Sequence, residues 1–210
     1  MFYAEKTSNA LRFGDVIRGF LSTTPVITEP ALKEPFKSYN IDVNVPIFSV
    51  VMDPCCQIGN KSVSLTPLIQ IRISFFDNPY LAEDLTRVNR KMEPQQAVPP
   101  LAWEKLSQEE KQKRMKIGRE YAFVGLFIYE KHDRLPKYTV QRKENKIETN
   151  YYMIDFRNIH KLCCDKINSP TDAPLETKIL ELSVKTRTEL RDKISVYYAT
   201  PPIEDKLAED

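Results

Sequence analysis

The stretch Ile69-Gln70-Ile71-Arg72-Ile73-Ser74-Phe75, IQIRISF, alternates apolar with polar side chains along its whole length. A period of two gives one dry face and one wet face, and so predicts a half-buried antiparallel strand running on to Phe76. Towards the N-terminus, Ile41-Asp42-Val43-Asn44-Val45 alternates as strictly, and Ile47 to Met52 is almost continuously apolar, as in a strand covered on both faces. Pro46 between them has no amide to give to a ladder and predicts a bend or an edge. Leu11 to Leu21 reads as a first strand, with Val16, Arg18 and Phe20 alternating with Ile17, Gly19 and Leu21.

Beyond Phe76 the character changes. From Asp77 to about Pro100 the sequence is charged and proline-bearing, without a sustained strand pattern. Ser107-Gln108-Glu109-Glu110 then matches a capping box, which predicts a helix over 107–120. Its body is mostly charged, with Met115 beside Ile117 as its apolar residues, so 77–120 reads as a surface insertion. Strand character returns at Ala122 to Tyr129, Lys137 to Gln141 and Tyr151 to Phe156, within a second β region over 121–170. Ser183 caps a closing helix, 183–198, in which Arg187, Leu190, Ile194 and Tyr197 share one stripe. Pro201-Pro202 stops it, and 201–210 reads as an acidic, mobile tail. Short strands separated by turns predict a mainly β (α+β) fold: one domain, 1–210, whose first strands occupy 11–76 in a small barrel or a strongly bent sheet.

Composition narrows the function. Hydrophobic residues at 41% and charged residues at 29% suffice for one soluble core. Only 5 glycines stand against 15 prolines, and no phosphate-cradling glycine loop or dinucleotide fingerprint is present. No cofactor is expected. A formal net charge of +2 gives the whole chain no strong pull towards nucleic acid or anionic membrane, so such binding requires a local patch. The N-terminus lacks the apolar segment of a secretory signal, and the longest apolar runs fall far short of the roughly 20 residues that span a bilayer. The expectation is a cytoplasmic protein without membrane contact, its cysteines reduced.

Three segments, Phe13-Gly14-Asp15-Val16-Ile17, Val45-Pro46-Ile47-Phe48-Ser49-Val50-Val51 and Leu65-Thr66-Pro67-Leu68-Ile69, resemble in order and character the opening of the MazF/PemK-type endoribonuclease toxins. The resemblance implies an SH3-like barrel. It also implies an arginine before the first proline, to stabilise charge on the phosphorane, and a hydroxyl after the second proline segment, to position the scissile phosphate. Here Val45 occupies the arginine's place and Gln70 follows Leu68-Ile69. A valine cannot donate to an oxyanion. The expected function is therefore a non-enzymatic interaction module that binds a protein partner or RNA through the barrel face and the insertion. A second copy of the chain is a further open partner. The alternative is a toxin-type ribonuclease with a rearranged site, in which Arg18 or Arg72 replaces the lost arginine and Thr66 supplies the hydroxyl.

Candidate binding residues are the basic cluster Lys111, Lys113, Arg114, Lys116 and Arg119, diluted by Glu109, Glu110 and Glu120, together with Tyr151 and Tyr152, which face opposite sides of one strand. Two vicinal pairs, Cys55-Cys56 and Cys163-Cys164, with His160 close by, contain enough donors for zinc. Adjacent residues in extended chain point to opposite faces, which works against shared ligation. The reading preferred for each pair is one small core residue and one turn residue. Solitary Asp15, Asp53 and Asp155 at strand ends read as turn caps.

Overall fold

The computed structural model describes residues 1–18, 22–26, 40–44, 46–59, 61–142, 145–163, 165–171 and 178–199. In chain order its first strands are β1 (Val16–Arg18), β2 (Ser22–Val26), β3 (Asn40–Asn44), β4 (Phe48–Val51), β5 (Ser62–Pro67) and β6 (Ile69–Gln70). Four helices follow, α1 (Pro79–Glu83), α2 (Pro94–Ala97), α3 (Pro100–Lys105) and α4 (Gln108–Ile117). Then come β7 (Leu126–Tyr129), β8 (Tyr138–Arg142), β9 (Asn145–Thr149), β10 (Tyr152–Asp155), β11 (His160–Cys163), β12 (Lys178–Leu180) and α5 (Val184–Ala199). The fold is α+β, with antiparallel sheets.

These elements form two compact units. The sheet unit consists of Ser8–Leu68 and Ile159–Glu181; the mixed unit consists of Met1–Thr7, Ile69–Asn158 and the chain from Leu182. In the sheet unit, five antiparallel strands run in the order β11-β5-β4-β1-β12, and β2 pairs with β3 in a separate hairpin. Val50 is the middle of the register, opposite Val16 on one side and Thr66 on the other. All four residues of β4 are buried, as its continuous apolar run requires. Leu11, Ile17, Val51, Ile58, Val63, Leu65 and Ile167 pack into one cluster.

In the mixed unit β7 does the same. Leu126 and Ile128 join a core with Ile71, Phe75, Leu81, Leu85, Val88 and Met153, whereas Phe127 and Tyr129 meet the Phe2 ring at 6.3 and 6.1 Å. The sheet order β6-β10-β7 leaves β7 at an edge. Asn89 covers that edge: its amide donates to the Ile128 carbonyl at 2.7 Å and its carbonyl oxygen accepts the Ile128 amide at 2.7 Å. One side chain thus completes a ladder rung that a neighbouring strand would otherwise supply.

Several expectations are revised. IQIRISF is a strand only over Ile69–Gln70; Ile73–Asp77 is a 3-10 turn. Ile71 and Phe75 are buried while Ile73 and Ser74 are exposed, a spacing that suits a helical turn better than a pleat. Among the described residues no sheet closes into a barrel. The capping box forms as read, with the Glu110 amide donating to Ser107 Oγ at 3.2 Å and the Ser107 amide donating to Glu110 Oε2 at 2.8 Å. Gly118, at φ 84 and ψ −149, ends the helix in a positive-φ region open essentially to glycine alone. Ser183 caps α5 through the Thr186 amide at 3.2 Å. The buried stripe of α5 is Thr186, Leu190 and Lys193, displaced from the expected one. Residues 201–210 lie outside the described residues, and no described helix is long and apolar enough to cross a membrane.

Candidate functional site

Between Glu93 and Arg119 the chain leaves the mixed unit's core and returns. Its base is closed by a two-way rung, Met92 amide to Glu120 carbonyl at 2.8 Å and Glu120 amide to Met92 carbonyl at 2.9 Å. Pro94 and Ala97 of α2 are buried and anchor the excursion, whereas α3 and α4 contribute no buried residue at all. Helices of this length are marginal in water, so α4 relies on local devices: its capping box and the basic residues of its last turn, Arg114 and Lys116. Leu101 is 75% exposed, Ile117 69% exposed, and Met115 is exposed as well, with Trp103 and Leu106 half-buried. The fold makes little use of these apolar side chains.

The cations that the sequence groups together separate in space. Arg114 pairs with Glu120 at 3.1 Å and Arg119 with Glu93 at 3.7 Å, both across the base of the arm. Lys111 turns inward to the Glu104 carbonyl at 3.3 Å. Lys113 and Lys116 remain exposed, and Lys113 lies one helical turn from Ile117 on the same face. Tyr151 is half-buried, with Lys131 Nζ 5.0 Å from its ring centre. Tyr152 is buried: its hydroxyl donates to the Pro136 carbonyl at 2.9 Å and its ring packs on Tyr138.

The residues named for a rearranged nuclease are divided between the units. Arg18, at the end of β1, lies 5.3 Å from the Phe48 ring centre. Thr66 is fully buried in β5. Arg72 belongs to the mixed unit, where its Nη2 meets Asp155 Oδ2 at 3.3 Å. Val45 lies outside the described residues.

Cys55 and Cys56 are both exposed. The expected division into core and turn fails because the Gln57 and Ile58 amides both fold back to the Pro54 carbonyl, and Ile58 is the residue that this turn buries. Cys163 is exposed on β11, His160 on the same strand pairs with Leu65, and Cys164 lies outside the described residues. Among the described residues no three His, Cys, Asp or Glu side chains gather as metal ligands. Asp15 caps locally, accepting the Arg12 amide at 2.9 Å, whereas Asp53 reaches across the turn to accept the Ser64 amide, eleven residues on, at 2.6 Å.

Two polar clusters escape sequence reasoning. In the sheet unit, buried Lys178 donates to Asp15 at 2.7 Å, to Glu181 at 2.8 Å and to the Ala10 carbonyl at 2.8 Å. Burial pushes Asp15 up to about 6, and the Glu181 charge adds to the rise, although Lys178 and the Arg12 amide pull the other way. Burial acts upward on Glu181 too, but the hydrogen bonds from Lys178 and Ser8 overcome it and bring that carboxyl down to about 2. In the mixed unit, buried Asp155 carries two guanidinium groups, those of Arg72 and Arg157. Comparison of the chain with family models, with curated proteins and with solved structures gives no match.

Proposed function

We propose that the chain is a non-enzymatic interaction module whose arm, 93–119, docks an acidic-rimmed protein partner. The observation that carries this reading is the pair α3 and α4, folded without one buried residue while Leu101, Met115 and Ile117 face solvent. Met115 and the half-buried Trp103 are residue types that protein interfaces enrich. The exposed Lys105, Lys113 and Lys116 of the same two helices favour carboxylates on the partner's rim. RNA is the weaker occupant of this arm, since Arg114 and Arg119 are each balanced by a carboxylate of their own, Glu120 and Glu93, which leaves no net positive charge on either pair.

The strand order of the sheet unit supports the resemblance to SH3-like barrels. β1, β4, β5 and β11 form a meander and β12 returns to pair with β1, the order that such a barrel requires. On this reading Ile69–Asn158 is an insertion between the third and fourth strands of that sheet. The buried Thr66 argues against its hydroxyl meeting a scissile phosphate.

The test is a photo-crosslinking residue placed at Ile117 in the full chain in its native cell, with Lys146 as the control position. A discrete protein captured from position 117 alone, whose purified form binds at least about tenfold more weakly to Leu101→Asp and more weakly in high salt, is the expected result. A crosslink at twice the mass of this chain assigns the arm to self-association, a captured RNA assigns it to nucleic acid, and no capture removes the proposal.

A further inference from the structure

We propose that Arg72 and Arg157, held on Asp155, form a binding site for a phosphodiester of single-stranded nucleic acid, with Tyr198 as the surface on which a base stacks. The site lies within the mixed unit and is independent of the arm.

Asp155 ends β10, opposite Leu126 of β7, and its side chain is buried. Its Oδ1 accepts the Arg157 amide at 3.1 Å and Arg157 Nε at 2.9 Å; its Oδ2 accepts Arg157 Nη2 at 2.5 Å and Arg72 Nη2 at 3.3 Å. Both terminal nitrogens sit on one oxygen, so the two guanidinium groups lie within the span of a single oxyanion. One carboxylate balances one of the two positive charges. Arg157 is 63% exposed and Arg72 47% exposed, and each guanidinium has five N–H donors, so each keeps donors beyond those that Asp155 accepts. Hydrogen bonds from Arg157, ahead of its charge, hold the Asp155 carboxyl below its ordinary range, which keeps the clamp ionised.

Two arginines fixed in this way have already lost much of the side-chain freedom that anion binding would cost, and their planar forks match phosphate oxygens. A solvated ion pair on the surface needs no second arginine. A row of aromatic rings begins at the next residue. Phe156 lies 5.6 Å from Tyr197, and Tyr197 lies 5.1 Å from Tyr198, which is 67% exposed. Gly125, whose carbonyl accepts the Phe156 amide at 2.9 Å, leaves room for this arrangement: a Cβ there would come within 3.3 Å of the Tyr197 ring. Tyr197 is near enough to Arg157 for their charges to interact, and the row carries on from it to the exposed Tyr198; a ring at the end of such a row favours a nucleotide over bare phosphate, and an unpaired base over one stacked in a duplex.

Fluorescence anisotropy of the full chain with a labelled single-stranded RNA of about 12 nucleotides tests the site. Arg72→Gln and Arg157→Gln are each expected to weaken binding about tenfold and to lower the slope of log K against log salt by about 0.7. Tyr198→Ala is expected to weaken RNA about tenfold while leaving competition by inorganic pyrophosphate unchanged, which separates base from phosphate. Lys146→Gln serves as the control for diffuse attraction. No binding by the native chain, or losses in both arginine variants no larger than that of Lys146→Gln, overturns the proposal. A binding loss confined to the arm's Lys113→Gln overturns it as well and returns nucleic acid to α4.

Discussion

Replacing Lys178 by methionine should destabilise the sheet unit by about 3–5 kcal/mol near pH 7, because it removes the cation from between two buried carboxylates. Lys178 Nζ makes short contacts to Asp15, Glu181 and the Ala10 carbonyl, and Ser8 adds a carbonyl and a hydroxyl at 3.4 and 3.3 Å. Methionine fills most of the volume but supplies no charge, so both carboxylates must either stay ionised in an apolar setting or take up protons. The loss should accordingly shrink in acid. In the native chain the two acids act with opposite sign. Asp15, raised from 3.8 to about 6, contributes stability that is complete below 3.8 and is lost as pH rises through 6, a difference of at most about 3 kcal/mol. Glu181, lowered from 4.5 to about 2, contributes stability that is present above 4.5 and is lost as pH falls through 2. The share of stability due to this cluster should therefore peak between about pH 4 and 5. Urea unfolding followed by circular dichroism across this range gives the midpoint and the slope at each pH. A loss below about 1 kcal/mol in Lys178→Met near pH 7, or one that stays constant as the solution is acidified, would refute this account of the cluster.

Asn89→Ala should cost about 2–5 kcal/mol, since it strands the buried amide and carbonyl of Ile128 without partners; a shift of the urea midpoint worth less than 1 kcal/mol would mean that water fills the gap. Lys193→Met should remove the pH-dependent cost of burying the amine, while leaving the Val88 carbonyl without the donor that Lys193 Nζ supplies. Burial drives Lys193 well below the ordinary lysine value, so the unfolded chain binds the extra proton, native stability climbs with pH through that interval, and the variant should lack the climb; identical pH profiles would refute the assignment. The exposed thiols of Cys55, Cys56 and Cys163 should react with a disulfide reagent in the folded chain without a chelator, and protection that a chelator lifts would reveal a metal.

Legibility in the sequence follows the range of the interactions. The capping box of α4, the Ser183 cap of α5 and the turn capped by Asp15 are settled within a few residues, and the sequence shows them. β4, β7 and β10 were legible because continuous burial demands continuous apolar side chains. β9, Asn-Lys-Ile-Glu-Thr, and β11, His-Lys-Leu-Cys, were not, because strands that leave most side chains exposed or half-buried need no apolar pattern. IQIRISF misled for the opposite reason. Its alternation is real, but long-range packing selected Ile71 and Phe75 for the core, and the Ile71 amide went to the Tyr138 hydroxyl at 3.0 Å. The helices α1, α2 and α3 do carry a local signal, a proline in the first turn of each, with Asn78 capping α1 through the Tyr80 amide. The burial of Lys178 had no such signal, because its partners at Ser8, Ala10 and Asp15 stand at the other end of the chain.

The same distinction separates two kinds of positive charge in this chain. A run such as Lys-Gln-Lys-Arg-Met-Lys in α4 concentrates cations in sequence, yet a helix turns them in different directions, and Arg114 within the run and Arg119 beyond it are each engaged by a glutamate, Glu120 and Glu93. Arg72 and Arg157 are remote in sequence, and neither stands in a basic run. They converge because β10 places Asp155 where both can reach it. A flexible lysine run attracts a polyanion weakly and anywhere along its length, whereas a fixed pair selects an oxyanion of one size in one orientation. On the proposal that Arg72 and Arg157 hold a phosphodiester, a near-neutral chain binds phosphate at one point without needing a strong net positive charge.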